Sequence, residues 1–95
     1  MSLETYRHKI DKIDEQLVEG LNQRASLARQ IGWEKQSQGL PLLNTAREDK
    51  VLAQIRAKNP GPLTNRALSG IYREIISACR EVQSRERTPR KDSVS

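Results

Sequence analysis

The sequence has almost none of the residues from which aromatic cores, disulfide frameworks and membrane spans are built. Among 95 residues there are one Trp, two Tyr, no Phe and a single Cys. The single cysteine, Cys79, has no second cysteine with which to form an internal disulfide. This favours a reducing compartment and a cytoplasmic protein. No apolar run reaches the length of a signal peptide or of a bilayer-spanning helix, so we expect no association with a membrane.

The residues that metal sites and nucleophilic catalysis require are equally scarce. The chain has one histidine, His8, and its cysteine and histidine positions do not follow the spacing of a metal site. Neither a Ser-His-Asp set nor a pair of catalytic carboxylates stands out along the sequence. The sequence therefore predicts no metal, and it contains no pattern for covalent or paired-carboxylate catalysis.

Basic charge is what the chain has in excess, with 17 Lys and Arg against 12 Asp and Glu and a formal net charge of +5. This balance favours an anionic partner, and nucleic acid, an acidic membrane surface and a small polyanionic metabolite are each compatible with it. Part of the excess lies near the C-terminus, at Arg85, Arg87, Arg90 and Lys91. The net charge therefore overstates the strength of any basic binding face.

Three clusters of glycine and proline divide the chain, namely Gly39-Leu40-Pro41, Asn59-Pro60-Gly61-Pro62 and Thr88-Pro89. Between them apolar residues recur at helical spacing, which predicts helices over about residues 3–38, from Thr45 onwards and over about residues 64–86. Thr45 and Glu48 have the spacing of a capping box at the second helix start. The sequence thus predicts an all-α domain over residues 1–86, followed by a basic disordered tail or linker over residues 87–95.

The length of the first helix bears on the oligomeric state. A helix of about 36 residues is about 54 Å long, whereas a compact globule of this chain length is only about 30 Å across. The helix therefore extends beyond a monomeric fold, and its apolar face needs a second chain to cover it. A homodimer of long helices is the simplest arrangement that provides this cover.

Arg24 interrupts the apolar face of the first helix, whose seam follows alternating steps of three and four residues. A buried arginine costs several kcal/mol unless a negative group compensates it. Lys35, eleven residues further on, points within about 20° of the direction of Arg24. Arg7 lies roughly 100° around the helix from Arg24, so we expect it to enter the cavity of the partner chain in a dimer.

Polar residues also interrupt the apolar faces of the other two helices. Arg47 and Glu48 stand one turn before apolar residues of the second helix, and Cys79 and Gln83 continue the apolar line of the third. Each of these residues has a simpler explanation, for example Cys79 as a core residue or Glu48 as a capping partner of Thr45.

Arg24 and Lys35 on the first helix also have simpler explanations. Arg24 could form a structural ion pair, and Lys35 could interact favourably with the helix dipole near the C-terminus of the helix. The convergence of polar groups from all three helices nevertheless favours a shared cationic pocket with few carboxylates. Such a pocket suits a small dianion.

Four segments then carry a resemblance to a known family: Arg7-x-x-Ile10-Asp11-x-Ile13-Asp14, Leu21-x-x-Arg24-x-x-Leu27-Ala28, Asn44-x-x-Arg47-Glu48 and Tyr72 to Gln83. In their order and spacing they resemble the all-helical (AroQ-type) chorismate mutases. The segment Asn59-Pro60-Gly61-Pro62-Leu63 and the closing helix look most like the mutase domains fused to a prephenate dehydratase. The resemblance covers the chain from Leu3 to Gln83. It implies an intertwined homodimer with two identical sites, an isomerase of aromatic amino acid biosynthesis (the shikimate pathway) and no cofactor.

The resemblance also implies roles for individual residues in binding chorismate and converting it to prephenate. Arg24 and Arg47 would bind the carboxylates of the substrate, together with the partner subunit's Arg7. Lys35 and Gln83 would be the catalytic residues, which donate hydrogen bonds to the ether oxygen of the breaking bond.

The substrate's ring hydroxyl would bind to Glu48 and to Asn44, which stands where some members have an aspartate. Cys79, where some relatives have a serine, would line the site and contact a carboxylate of the substrate. Because the regulatory and dehydratase domains of fused relatives are not part of the sequence, we expect no feedback inhibition from this chain alone.

Three other functions are compatible with parts of this pattern. An isochorismate pyruvate lyase has the same scaffold and a substrate of the same charge. A non-catalytic dimeric regulatory module would need the fold but not the polar set, and a basic nucleic-acid binder would place its cations on an exposed face. The seam position of Arg24 favours a small-molecule dianion over nucleic acid.

Overall fold

A computed structural model describes residues 2–86 and consists of three α-helices. Helix α1 comprises Leu3–Gln38, α2 comprises Thr45–Lys58 and α3 comprises Asn65–Glu86. The expected all-α fold with one very long helix is confirmed, and residues 2–86 contain no strand. The predicted tail over residues 87–95 lies outside the described part of the chain.

Short polar residues define where the helices begin. Ser2 caps α1 by accepting a hydrogen bond from the backbone N–H of Thr5, and Thr64 accepts one from Ala67 at the start of α3. The predicted capping box at Thr45 is wrong, because Asn44 is the N-cap of α2 and accepts from the N–H of Arg47. The side chain of Glu48 is therefore not needed for capping.

Helix α3 holds the fold together, because its backbone lies close to those of both α1 and α2, whereas the backbones of α1 and α2 do not approach each other closely. The core is correspondingly small and consists of a few side chains that are buried along these contacts: Ala28, Leu52, Ser69, Ile76, Cys79 and Gln83. Its tightest point is at Gly32, which packs directly against Gln83. Ile71 of α3, by contrast, is 50% exposed in the single chain.

The apolar face of α1 stays uncovered along its N-terminal half. Its large hydrophobic side chains are 41–63% exposed in the single chain: Leu3, Tyr6, Ile10, Ile13, Leu17, Val18 and Leu21. The described chain is correspondingly elongated, with extents of 60 × 30 × 15 Å. This is the exposed seam that the sequence predicts for a helix longer than its own domain.

We predict that replacing Gly32 by valine lowers the melting temperature, because a Cβ there would lie 3.2 Å from Cβ and Cγ of Gln83. Overpacking of this kind costs about 1–3 kcal/mol, and each kcal/mol corresponds to roughly 4–8 °C in a domain of this size. Gly70→Val is the matched control, since a Cβ at Gly70 meets nothing within 4 Å. Equal melting temperatures for the two variants, measured by circular dichroism at one protein concentration, would contradict the close approach of α1 and α3.

Candidate active site

A pocket of about 290 Å³ lies where the three helices and the loop between α1 and α2 meet. The apolar part of its wall consists of Leu27, Ala28, Ile31, Leu42, Val51 and Ile76. Its polar lining comprises Arg24, Lys35, Asn44, Arg47, Glu48, Cys79, Arg80 and Gln83. A pocket with an apolar wall and a few convergent polar groups is the usual form of a small-molecule site.

Seven of the eight residues that the sequence singles out line this pocket, and Arg7 is the exception. Arg7 is largely exposed on the first turns of α1, where it forms an ion pair with Glu4 at 3.3 Å. Seventeen residues separate it from Arg24, which is about 26 Å along the helix axis. The structure therefore brings together every predicted residue except the one that was assigned to the partner chain.

The two cations that α1 contributes to the pocket, Arg24 and Lys35, each contact an uncharged group. The guanidinium carbon of Arg24 lies 5.7 Å from the ring centroid of Tyr72 on α3, a cation–π arrangement. The Nζ of Lys35 donates to the carbonyl oxygen of Leu42 at 2.9 Å. Because an ammonium group has three donors, this bond orients Lys35 and leaves further N–H groups for a ligand.

Asn44 and Arg47 lie at the N-terminus of α2, where Asn44 is the N-cap and Arg47 belongs to the first turn. The Oδ1 of Asn44 accepts the N–H of Arg47 at 3.0 Å, so this oxygen serves the helix terminus. The amide nitrogen of Asn44 is the part of its side chain that keeps both donors. The side chain of Arg47 is exposed and lines the pocket at a helix N-terminus, where the helix dipole also favours anions.

Gln83 is the polar side chain at the bottom of the contact between α1 and α3. It is only 8% exposed, and its Nε2 donates to the carbonyl oxygen of Ala28 at 2.9 Å. An amide nitrogen carries two hydrogens, so one can be bound to Ala28 while the second is available to a ligand. The contact with Gly32 and the bond to Ala28 together fix the direction of this donor.

Arg80 also lines the pocket, although it was not predicted from the sequence as a site residue. Its guanidinium NH1 donates to Oε2 of Glu48, which joins α3 to α2. The two residues are 32 positions apart in sequence, and local periodicity contains no information about such a pair. Its position on the turn between Cys79 and Gln83 was the available signal, because that turn faces the pocket.

Within the described part of the chain, the pocket lining carries four cations, Arg24, Lys35, Arg47 and Arg80, against the single carboxylate of Glu48. Arginine forks bind carboxylates through paired, charge-assisted hydrogen bonds, and an apolar wall suits a carbon ring between them. Among residues 2–86, no three His, Cys, Asp or Glu side chains lie close enough together to hold a metal ion. The arrangement can bind a small dicarboxylate and can present N–H donors to it.

Comparisons with known proteins agree with this chemistry. Residues 6–84 match the family model described as chorismate mutase type II. The chain is 39% identical to a bifunctional chorismate mutase/prephenate dehydratase of Aquifex aeolicus, over 87% of this chain and 24% of that protein. It is 36% identical to the protein of the same name from Neisseria gonorrhoeae, over 82% of this chain and 21% of the relative.

Solved structures give the same result over nearly their whole length. Form II of the chorismate mutase from Thermus thermophilus superposes with a TM-score of 0.86 at 28% identity, covering 87% of this chain and 94% of that one. The chorismate mutase of Helicobacter pylori, in complex with prephenate, gives a TM-score of 0.81 at 28% identity, covering 88% and 91%.

The chain spans about a quarter of the length of the bifunctional relatives that it matches. Its match to the family model nevertheless includes parts of all three helices and every polar residue of the pocket. The family expectation drawn from the four sequence segments is thus confirmed. The chain belongs to the type II chorismate mutase family.

Proposed function

We propose that this chain catalyses the rearrangement of chorismate to prephenate at the pocket between its three helices. The observation that carries the proposal is the convergence of Arg24, Lys35, Arg47 and Gln83 on one pocket. The chorismate mutase of H. pylori has been solved in complex with prephenate. Prephenate is a dianion, and its carboxylates are opposite in charge to Arg24, Lys35 and Arg47.

The reaction is a concerted pericyclic rearrangement, so it needs no nucleophile and no general base. Its barrier has two parts: the substrate must adopt a compact conformation, and negative charge develops on the ether oxygen as the carbon–oxygen bond breaks. Arg24 and Arg47 would address the first part by binding the two carboxylates in a fixed orientation. We expect the partner subunit's Arg7 to complete this clamp.

Lys35 and Gln83 would address the second part, as donors to the ether oxygen. Both are already oriented by backbone carbonyls, of Leu42 and Ala28 respectively. Donors that are fixed before the reaction stabilise developing charge without reorganisation, and this effect is usually the largest single one in such sites. Removing one such donor costs on the order of a hundredfold in rate.

Glu48 and Asn44 would recognise the ring hydroxyl of the substrate. Glu48 offers a carboxylate oxygen as acceptor, and the amide nitrogen of Asn44 offers donors, because its oxygen caps α2. Cys79 is buried in the pocket wall and would contribute shape rather than charge.

We further propose that the working unit is a cytoplasmic homodimer that does not bind nucleic acid. The exposed apolar face of α1 supports dimerisation, because its side chains would be covered by the same face of a second chain. The cations of the pocket wall are placed for a small guest rather than along a basic surface. No helix among residues 2–86 is long and apolar enough to cross a bilayer.

The reaction itself is tested by giving purified protein chorismate and isochorismate in separate assays and identifying the products. The proposal expects chorismate to be consumed and prephenate to form. Release of pyruvate from isochorismate without turnover of chorismate would indicate the lyase instead, and no reaction with either substrate would favour a non-catalytic module.

We predict that Lys35→Ala lowers kcat by about a hundredfold or more while the chain stays folded, because a donor to the developing charge is lost. Lys50→Ala is the matched control, since Lys50 is exposed on α2 and does not line the pocket. Steady-state kinetics and circular dichroism on both variants check the prediction. Turnover of Lys35→Ala at the rate of the control would remove Lys35 from the mechanism.

We predict that Gln83→Glu makes kcat/KM rise as pH falls, whereas the unaltered chain is nearly independent of pH across neutrality. A glutamine donates at every pH, but a glutamate donates only when protonated, and its ionised form would repel the developing negative charge. Gln83→Ala is the control that loses the donor without adding a titrating group. A flat profile for Gln83→Glu would show that residue 83 does not donate to the substrate.

Subunit mixing tests the position assigned to Arg7. Arg7→Ala and Arg24→Ala should each be nearly inactive alone, but a mixed dimer would contain one intact site, built from Arg24 of one chain and Arg7 of the other. Random mixing should therefore restore about a quarter of the original sites. If Arg7 instead served the site of its own chain, the mixed dimer would contain no intact site and activity would stay at the level of the single variants.

A further inference from the structure

Arg80 extends into the pocket wall from the same turn of α3 that bears Cys79 and Gln83. Its guanidinium is bound to the carboxylate of Glu48 across the gap between α3 and α2. The two side chains are 35% and 28% exposed, so the pair is partly withdrawn from solvent. None of the roles assigned above explains why an arginine stands here.

Among residues 2–86, Glu48 is the only carboxylate in the pocket lining, and Arg24, Lys35 and Arg47 line the same pocket. An unpaired carboxylate in this setting would bind one of those three cations, because ion pairs strengthen as solvent is withdrawn. Each such pair would remove a group that the dicarboxylate substrate needs. The negative charge would also repel the carboxylates of the substrate itself.

Two of these three cations, Arg24 and Lys35, contact uncharged groups. Arg24 lies over the ring of Tyr72, and Lys35 donates to the backbone oxygen of Leu42. In the part of the chain that the structure describes, the ion pairs are Arg80–Glu48 and Arg7–Glu4, so no carboxylate is paired with Arg24, Lys35 or Arg47.

We propose that Arg80 is a positioning residue that keeps Glu48 paired on the α3 side of the pocket, so that Arg24, Lys35 and Arg47 stay available to the substrate. The bond to Arg80 occupies Oε2 of Glu48 and leaves Oε1 to accept the ring hydroxyl. The inference rests on the proposed function, since it names what the cations are kept available for.

The test compares four proteins by their kcat and KM for chorismate: the unaltered chain, Arg80→Gln, Glu48→Gln and the double variant. Arg80→Gln should raise KM by about five- to thirtyfold, which lies within the range of effects between coupled neighbours, while kcat changes less. The double variant should bind chorismate better than Arg80→Gln, because its neutral amide no longer competes for the cations. Arg80→Lys, which keeps a cation beside Glu48, should recover most of the lost affinity.

A role of Arg80 in packing α3 on α2 predicts no such recovery, because Glu48→Gln would weaken the same link. A double variant with a KM as high as that of Arg80→Gln would therefore overturn the proposal.

If Arg80→Gln does not fold, the KM values of Glu48→Gln and the double variant still test whether Arg80 acts through Glu48. Once residue 48 is neutral, removing Arg80 should change KM by less than about twofold, within the error expected for independent sites. A large rise in KM at this step would show that Arg80 binds the substrate directly, which contradicts the proposal. If the unaltered chain does not turn over chorismate, the proposed function is overturned as well. If the chain is active but the double variant does not recover affinity relative to Arg80→Gln, only the role of Arg80 is overturned.

Discussion

The structure depends on α3 as the one helix whose backbone lies close to those of both others. Two polar links join α3 to its neighbours. Gln83 donates a hydrogen bond to the backbone oxygen of Ala28 on α1, and Arg80 donates to the carboxylate of Glu48 on α2. Both links come from one turn of α3, and both end in the wall of the pocket. The contacts that position the helices are therefore the same contacts that shape the site, and a change in helix packing at this turn would displace its donors.

The composition of the pocket has a cost for the folded protein. Gathering several cations around a single carboxylate is unfavourable without an anionic guest, because like charges repel and their desolvation is not compensated. The chain limits this cost by giving Arg24 an aromatic face and Lys35 a carbonyl oxygen, which orient the cations without neutralising them. The charge that remains uncompensated is what a dicarboxylate can neutralise, so part of the binding energy is set by the fold before the substrate arrives.

The sequence predicted the helices closely because breakers and periodicity are local signals. Leu3–Gln38 has the predicted bounds, and the angle between Arg24 and Lys35 follows from helix geometry alone. The cap of α2 was assigned one residue late, since Asn44 and Thr45 are both good caps and only the backbone distinguishes them. The bond from Gln83 to Ala28 and the pair Arg80–Glu48 join residues 55 and 32 positions apart, and such contacts depend on how the helices pack.

Titration calorimetry can measure whether the pocket recognises two negative charges at once. The ligands are a bicyclic dicarboxylate that mimics the compact transition state and its two mono-esters, in which one charge is removed without changing the ring. Each mono-ester should bind at least about tenfold more weakly than the diacid, since a charge-assisted hydrogen bond contributes roughly 1.5–3 kcal/mol. Equal affinities for the diacid and a mono-ester would show that the pocket does not depend on both charges.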